Sequence, residues 1–213
     1  RSGHVKIAAL DSVALGILPD ALNRFGETYP EITYSVVTAQ PDEIMLAVGT
    51  GETDIGLSFC IDPHPNVRVL SEKSSPIGAV LLPNHPLANR NKLSLEDLSG
   101  LQMIRSIDAR SGESIVDQRI SDVTKPLSSR TFTNSLPLAK RMILRGRGIG
   151  LYTKLGFLHE IDAGELCFVP VDVEFLKALK MGLLVSSKVN MAPTTHLLCN
   201  ELSRSLKSVR LDS

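Results

Sequence analysis

Four groups of residues in this 213-residue chain have the composition to do chemistry, and their spacing argues against each as a reaction centre. Gly146-Arg147-Gly148-Ile149-Gly150 has the glycine density of a loop that lets backbone N–H groups wrap a phosphate. A phosphate cradle leads from a strand into a helix, whereas this run follows a helical stretch. A helix cap running into a tightly packed strand is therefore the expected role. The histidines (His4, His64, His85, His159, His196) and cysteines (Cys60, Cys167, Cys199) are scattered with no Cys-x-x-Cys or His-x-x-x-His pair, so no metal is expected. Gly112-Glu113-Ser114 lacks the trailing glycine of a nucleophile elbow and does not directly follow a strand. Glu96 and Asp97 belong to a helix capped by Ser94, which removes them from general acid–base work. The expectation is a protein that binds and does not catalyse, without a cofactor.

Binding chemistry is expected where helices begin. Four starts, near Ser12, Gln40, Ser111 and Asn134, would present unpaired N–H groups and the positive end of a helix dipole, which together favour a carboxylate or other anion. That attraction works through the backbone and requires no strongly basic side chain.

The elements that must position these starts alternate. Val5 to Leu10 reads as a strand, and Leu18, Leu22, Phe25 and Tyr29 follow at helical spacing, with Pro19 in the first turn and Pro30 as the stop. Ile32 to Val37 is the next strand. Asp42 and Glu43 open a helix that Gly49 and Gly51 end, and Asp54 to Phe59 is strand again. Such alternation predicts an α/β fold with a largely parallel sheet, whose ligand crevice lies beyond the carboxyl ends of its strands. The loops after Leu10, Val37 and Phe59 then face it.

After a polar stretch, Glu72 to Ser75, the pattern restarts with the apolar strand Ile77 to Leu82. Strands are expected at Gln102 to Arg105, Arg130 to Thr133, Ile149 to Tyr152 and Leu166 to Val169. Helices are expected through Ile115 to Val123, Ser135 to Arg145 and Leu155 to Ile161. Leu179 to Val185 can return the chain to the first half, and a helix from Pro193 to Leu206 closes it. This predicts two Rossmann-like lobes, residues 1–76 plus 180–213 and residues 77–179. Crossover strands near Ile77 and Leu179 join them and would serve as a hinge for closure on a ligand.

Bulk properties agree with that plan. At 213 residues two small cores are expected over one. Lys plus Arg and Asp plus Glu both number 23, so this stretch lacks the charge excess that drives binding to a phosphate backbone. Three widely spaced cysteines suit reduced thiols better than a disulfide framework. No apolar stretch nears the roughly 20 residues of a membrane span, and Arg1 to His4 do not open a secretion signal. A cytoplasmic protein is expected.

The order of several short motifs resembles the regulatory domain of LysR-type transcription regulators over essentially the whole chain. They are Gly3-His4-Val5-Lys6-Ile7, Leu18-Pro19 with Phe25 and Tyr29-Pro30, and Gly51-x-x-Asp54-x-Gly56. Then come His85-Pro86-Leu87-Ala88, Gly146-x-Gly148-Ile149-Gly150 and Gly164-Glu165-Leu166. The resemblance implies a fold like type 2 periplasmic binding proteins, a small-molecule effector held between the lobes, and no membrane partner. It also implies homodimers through this domain, tetramers at full length, and DNA contact only through an N-terminal winged helix-turn-helix absent from these residues. A free-standing solute-binding protein of a transport system is the alternative.

The resemblance also marks positions. Ser12 stands where relatives commonly present a Ser or Thr to the ligand. Asp11 beside it is less usual, and either repels anions, bonds an amine or hydroxyl, or is a solvated turn residue. Gln40 is another contact position, with Pro41 where relatives often carry a polar residue. Phe59 and Cys60 end a strand as an apolar wall or as core. From the second lobe, Arg105 and Ser106 follow a strand end, and Arg110 and Ser111 lie in a segment that contacts ligand in relatives. An Arg there would grip a carboxylate in two-pronged fashion or stay on the surface. Asn134 is a ligand contact or a helix cap. Tyr152 and Thr153 follow Gly150, with Thr153 where the family usually has Pro.

Overall fold

The computed structural model describes residues 2–60, 64–107 and 127–211. The chain forms two compact units, Arg1–Ser74 with Lys180–Ser213, and Ser75–Leu179.

In the first unit β1 (Gly3–Ala9), β2 (Ile32–Thr38) and β3 (Ile55–Phe59) run parallel, while β10 (Lys180–Ser186) runs antiparallel to both β3 and β4 (Val67–Ser74). The sheet order is β2-β1-β3-β10-β4. Ala9 is level with both Thr38 and Leu57, so the three parallel strands end along one rim. Two short helices follow β1, α1 (Asp11–Gly16) and α2 (Leu18–Thr28), and α3 (Pro41–Thr50) follows β2. α2 buries Leu18, Ala21, Leu22 and Phe25, and stops at Tyr29, ahead of Pro30.

The Gly51-x-x-Asp54-x-Gly56 motif has a physical reason at each position. Gly51 ends α3 in the left-handed region, at φ 79°. The Asp54 carboxylate accepts the Lys6 N–H at 2.8 Å, and the Asp54 N–H donates to the Lys6 carbonyl at 3.1 Å, which ties the entry of β3 to β1. A Cβ on Gly56 would stand 2.7 Å from Val48 Cγ2 and 2.9 Å from Ile44 Cγ2, so glycine lets α3 lie directly on β3. The C-terminal helix, to be called α7 (Pro193–Ser208), buries Leu198, Leu202 and Leu206 completely. Each contributes about 1.5–3 kcal/mol of apolar burial.

The second unit repeats the pattern. β6 (Gln102–Ser106), β7 (Ser128–Thr133) and β8 (Ile149–Thr153) are parallel, and β5 (Ile77–Leu81) is antiparallel to β8 and to β9 (Cys167–Pro170). Their order is β7-β6-β8-β5-β9. Helix α4 (Leu136–Leu144) packs Leu136, Ala139 and Ile143 against Val80, Ile104, Phe157 and Leu166. Lys140 on α4 pairs with Glu160 on α5 (Leu158–Asp162) at 2.9 Å, and both side chains are largely buried. A short helix, α6 (Glu174–Lys177), precedes β10.

Both sheets are mixed, where periodicity predicts largely parallel ones. The polar stretch before Ile77 is itself part of β4, an edge strand on which only Ser71 is buried. The run after β1 splits into α1 and α2, and α6 had no signal. The expected Ser94–Asp97 cap is present: Asp97 accepts from the Ser94 N–H at 2.8 Å while its own N–H donates to Ser94 Oγ at 3.2 Å. Those bonds hold the half-buried Asp97 carboxyl below the usual carboxylate range. The helix expected through Ile115 to Val123 lies outside the described residues.

Candidate functional site

The carboxyl rim of the first unit carries Asp11, Ser12, Gln40, Phe59 and Cys60, brought together by the level ends of β1, β2 and β3. Leu10 N–H donates to the Leu57 carbonyl at 3.0 Å and Ala39 N–H to the Ala9 carbonyl at 3.1 Å, so the exits of β1 and β2 are stitched to their neighbours. Ser12 is not the helix cap: Leu10 holds that place, and Ser12 lies half-buried inside the first turn of α1 beside half-buried Asp11. Gln40 is the cap residue of α3, and its N–H donates to Glu43 Oε2 at 2.9 Å. With Asp42 also in that turn, two of this chain's own carboxylates already occupy the positive end of α3.

Phe59 and Cys60 are both half-buried. The Cys60 Sγ sits over the Cα of Gly182 in β10, a place only glycine leaves open. Burial, reinforced by the Glu72 charge, pushes the thiol up, away from the nucleophilic thiolate.

The second unit's rim carries Arg105, Ser106, Asn134, Tyr152 and Thr153. Arg105 lies beside Phe132 in the β6–β7 register, with its guanidinium carbon 5.6 Å from the ring centroid. Ser106 ends β6 opposite Thr133. Asn134 is exposed, and the cap of α4 is its neighbour Ser135, whose side chain accepts the Leu138 N–H at 3.3 Å.

Tyr152 and Thr153 sit deeper. The Tyr152 ring packs 5.4 Å from Phe157, and burial pushes its phenol up to about 12. Thr153 is 4% exposed and pairs with Ile77. Neither hydroxyl has a hydrogen-bond partner among the described residues. Arg110 and Ser111 lie outside those residues.

Three features of the rims escaped the sequence reading. Phe132 is half-exposed on edge strand β7, and its only signal was the alternation of β7 itself. Glu43 caps Gln40, which the three-residue spacing could have announced. Lys154 follows Thr153 directly and adds a second cation to the residues that follow the strands of this unit. Among the described residues, no cluster of three His, Cys, Asp or Glu side chains could hold a metal, and no helix is long and apolar enough to cross a membrane.

Two five-stranded mixed sheets, each with three parallel strands, define an α/β domain of the periplasmic-binding-protein-like type. The family model described as LysR substrate binding domain matches residues 1–207, and the chain belongs to that family. Among curated relatives, the HTH-type transcriptional regulator SsuR of Burkholderia cenocepacia is 24% identical over 82% of this chain. The match spans 56% of that regulator, so this chain covers about half of it. Two solved structures share the fold. The regulatory domain of CcmR from Synechocystis PCC6803, in complex with 2-PG, has a TM-score of 0.77 at 18% identity, covering 97% of this chain and 99% of that one. The effector binding domain of QuiR in complex with shikimate has a TM-score of 0.74 at 14% identity, covering 97% and 98%.

Proposed function

We propose that this chain is the effector-sensing domain of a bacterial LysR-type transcription regulator. The effector is a small organic acid that draws contacts from both rims. The observation that carries the reading is the opposite charge of those rims. Asp11, Asp42 and Glu43 crowd the first, whereas Arg105 and Lys154 are the charged residues on the described part of the second. A carboxylate is then taken on the second rim by Arg105, whose guanidinium lies over the Phe132 ring. Hydroxyl or amine groups of the same ligand meet Asp11 and Ser12 on the first. The QuiR and CcmR structures, in complex with shikimate and 2-PG, support a small-molecule effector.

Binding biases the relative orientation of the two units, joined through Ser74–Ser75 and Leu179–Lys180. It does so by as much as the effector's affinity differs between orientations. In the whole protein this acts on DNA-binding domains carried outside these residues, in the cytoplasm. Copies pair into homodimers, for which the edge strands provide apolar surface: Val36 and Val37 on β2, and Phe132 on β7.

Calorimetry with shikimate, 2-PG and other small carboxylates against their neutral amides tests the effector class. Binding that prefers the acids supports it, and equal binding of the amides refutes it. Sedimentation tests the pairing: Val37→Lys should shift dimer to monomer, and an unchanged dimer would place the interface elsewhere.

A further inference from the structure

Two motifs that carry the family resemblance take no part in either rim. His85 of the first and Gly146-Arg147-Gly148 of the second, about sixty residues apart in sequence, line one pocket of about 270 Å³ in the second unit. It lies at the opposite edge of the sheet from the rim, where β6 and β8 begin at Gln102 and Ile149 and β5 ends at Leu81. We propose that this pocket is a second ligand site, one that takes a small amphipathic anion such as an aromatic carboxylate.

The lining sorts into a buried apolar part and a polar, cationic part. Leu81 and Ile149 are buried, while Asn84, Gln102 and Arg147 are exposed. No lining residue is acidic, and the Arg147 guanidinium has no hydrogen-bond or ion-pair partner among the described residues. An unneutralised cation beside an apolar floor selects a ligand with one charged and one greasy end.

Two of the polar groups are held ready. His85 Nδ1 accepts the Leu87 N–H at 3.2 Å, so the neutral ring carries its proton on Nε2 as a donor. Gln102 Nε2 donates to Ser128 Oγ at 3.1 Å, leaving its carbonyl oxygen to accept. The backbone fixes the shape. Gly146 sits at φ 66°, with its N–H on the Ile143 carbonyl, and the Arg147 N–H donates to the Met142 carbonyl, so this is a helix cap and not a phosphate cradle. A Cβ on Gly148 would stand 2.7 Å from the Gln102 carbonyl oxygen, so only glycine brings the loop this close to β6.

The site is independent of the rims, and so is its test. Benzoate is titrated into the ¹⁵N-labelled chain, with benzyl alcohol as the neutral control, and amide shifts are followed. Saturable shifts at Gly146, Gly148 and His85 are expected with benzoate and not with benzyl alcohol. The apparent affinity at those amides should fall about tenfold in Arg147→Gln, the loss of one charge-assisted bond, and stay unchanged in Arg105→Gln. Shifts missing from these amides, indifferent to Arg147→Gln, or equal with benzyl alcohol would overturn the proposal. Shifts at the rim of strand ends alone would overturn it while leaving the effector reading intact.

Discussion

The two units are the same sheet built twice, β2-β1-β3-β10-β4 and β7-β6-β8-β5-β9, and they present different chemistry at equivalent strand ends. In the first, carboxylates fill the helix starts, and Glu43 spends itself on the backbone of its own cap. In the second, no acid lies in the first turn of α4, a guanidinium lies over an aromatic ring, and two hydroxyls are buried without partners among the described residues. Topology therefore fixes where polar groups gather, and a few side chains decide what they will attract. A helix N-terminus alone predicts an anion at every rim. The chain's own carboxylates cancel that pull on one side and leave it on the other.

The comparison can be broken most severely at the cores. Leu202→Ala in α7 and Ile143→Ala in α4 each empty a fully buried site and should each cost about 2–5 kcal/mol. If each unit has its own core, faster hydrogen exchange will be confined to the unit that carries the substitution. Exchange that rises equally in both would make them one cooperative body.

The next largest effects separate the rims. Arg105→Gln should weaken a carboxylate effector about 10- to 100-fold, the loss of a charge-assisted pair, and should abolish the preference for acid over amide. Ser12→Ala should weaken acid and amide alike, by about tenfold or less. Calorimetry on both ligands with both variants gives the four affinities. A preference for the acid that survives Arg105→Gln would remove the assignment of charge to the second rim.

Much of this was legible in the sequence. Helix faces, caps and the order of elements follow from local spacing: Leu18, Leu22 and Phe25 on α2, Ser94 with Asp97, and Gly51 after α3. Strand direction was not legible, because β5 and β10 take their antiparallel places by pairing with distant segments and local periodicity carries no sign of it. β4 was hidden for another reason, since an edge strand that buries only Ser71 has no apolar run to display. At the site, residue position was easier to read than role. Ser12 and Asn134 lie one or two residues from where a capping reading puts them, with Leu10 and Ser135 as the caps. A one-residue slip at a strand–helix junction changes which side chain meets the backbone. Tyr152 and Thr153 sit at the expected strand end, but their burial is set by Phe157 and Ile77, contacts that the order of residues does not display.

The smallest effect at neutral pH grows in alkali and touches one group in each unit. Burial lifts the Cys199 thiol from 9.0 and the Tyr152 phenol from 10.0, each to about 12. Both groups stay neutral in the fold where exposed ones would ionise. The stability they confer is thus complete below pH 9, and is lost as pH rises through about 12. Denaturation midpoints should be flat from neutrality to about pH 9 and fall between there and about pH 12. Cys199→Ala should remove part of the slope. A thiol at Cys199 that reacts with a disulfide reagent at pH 8 as fast as an exposed one would contradict the burial argument.

The central claim, that one small acid is gripped by the strand ends of both units, is tested most directly by a structure of the chain crystallised with the tightest carboxylate from calorimetry. The account predicts a single molecule with its carboxylate at Arg105 and its remaining polar groups at Asp11 and Ser12. A ligand that touches the strand ends of only one unit, or turns its carboxylate toward Asp11, would contradict it.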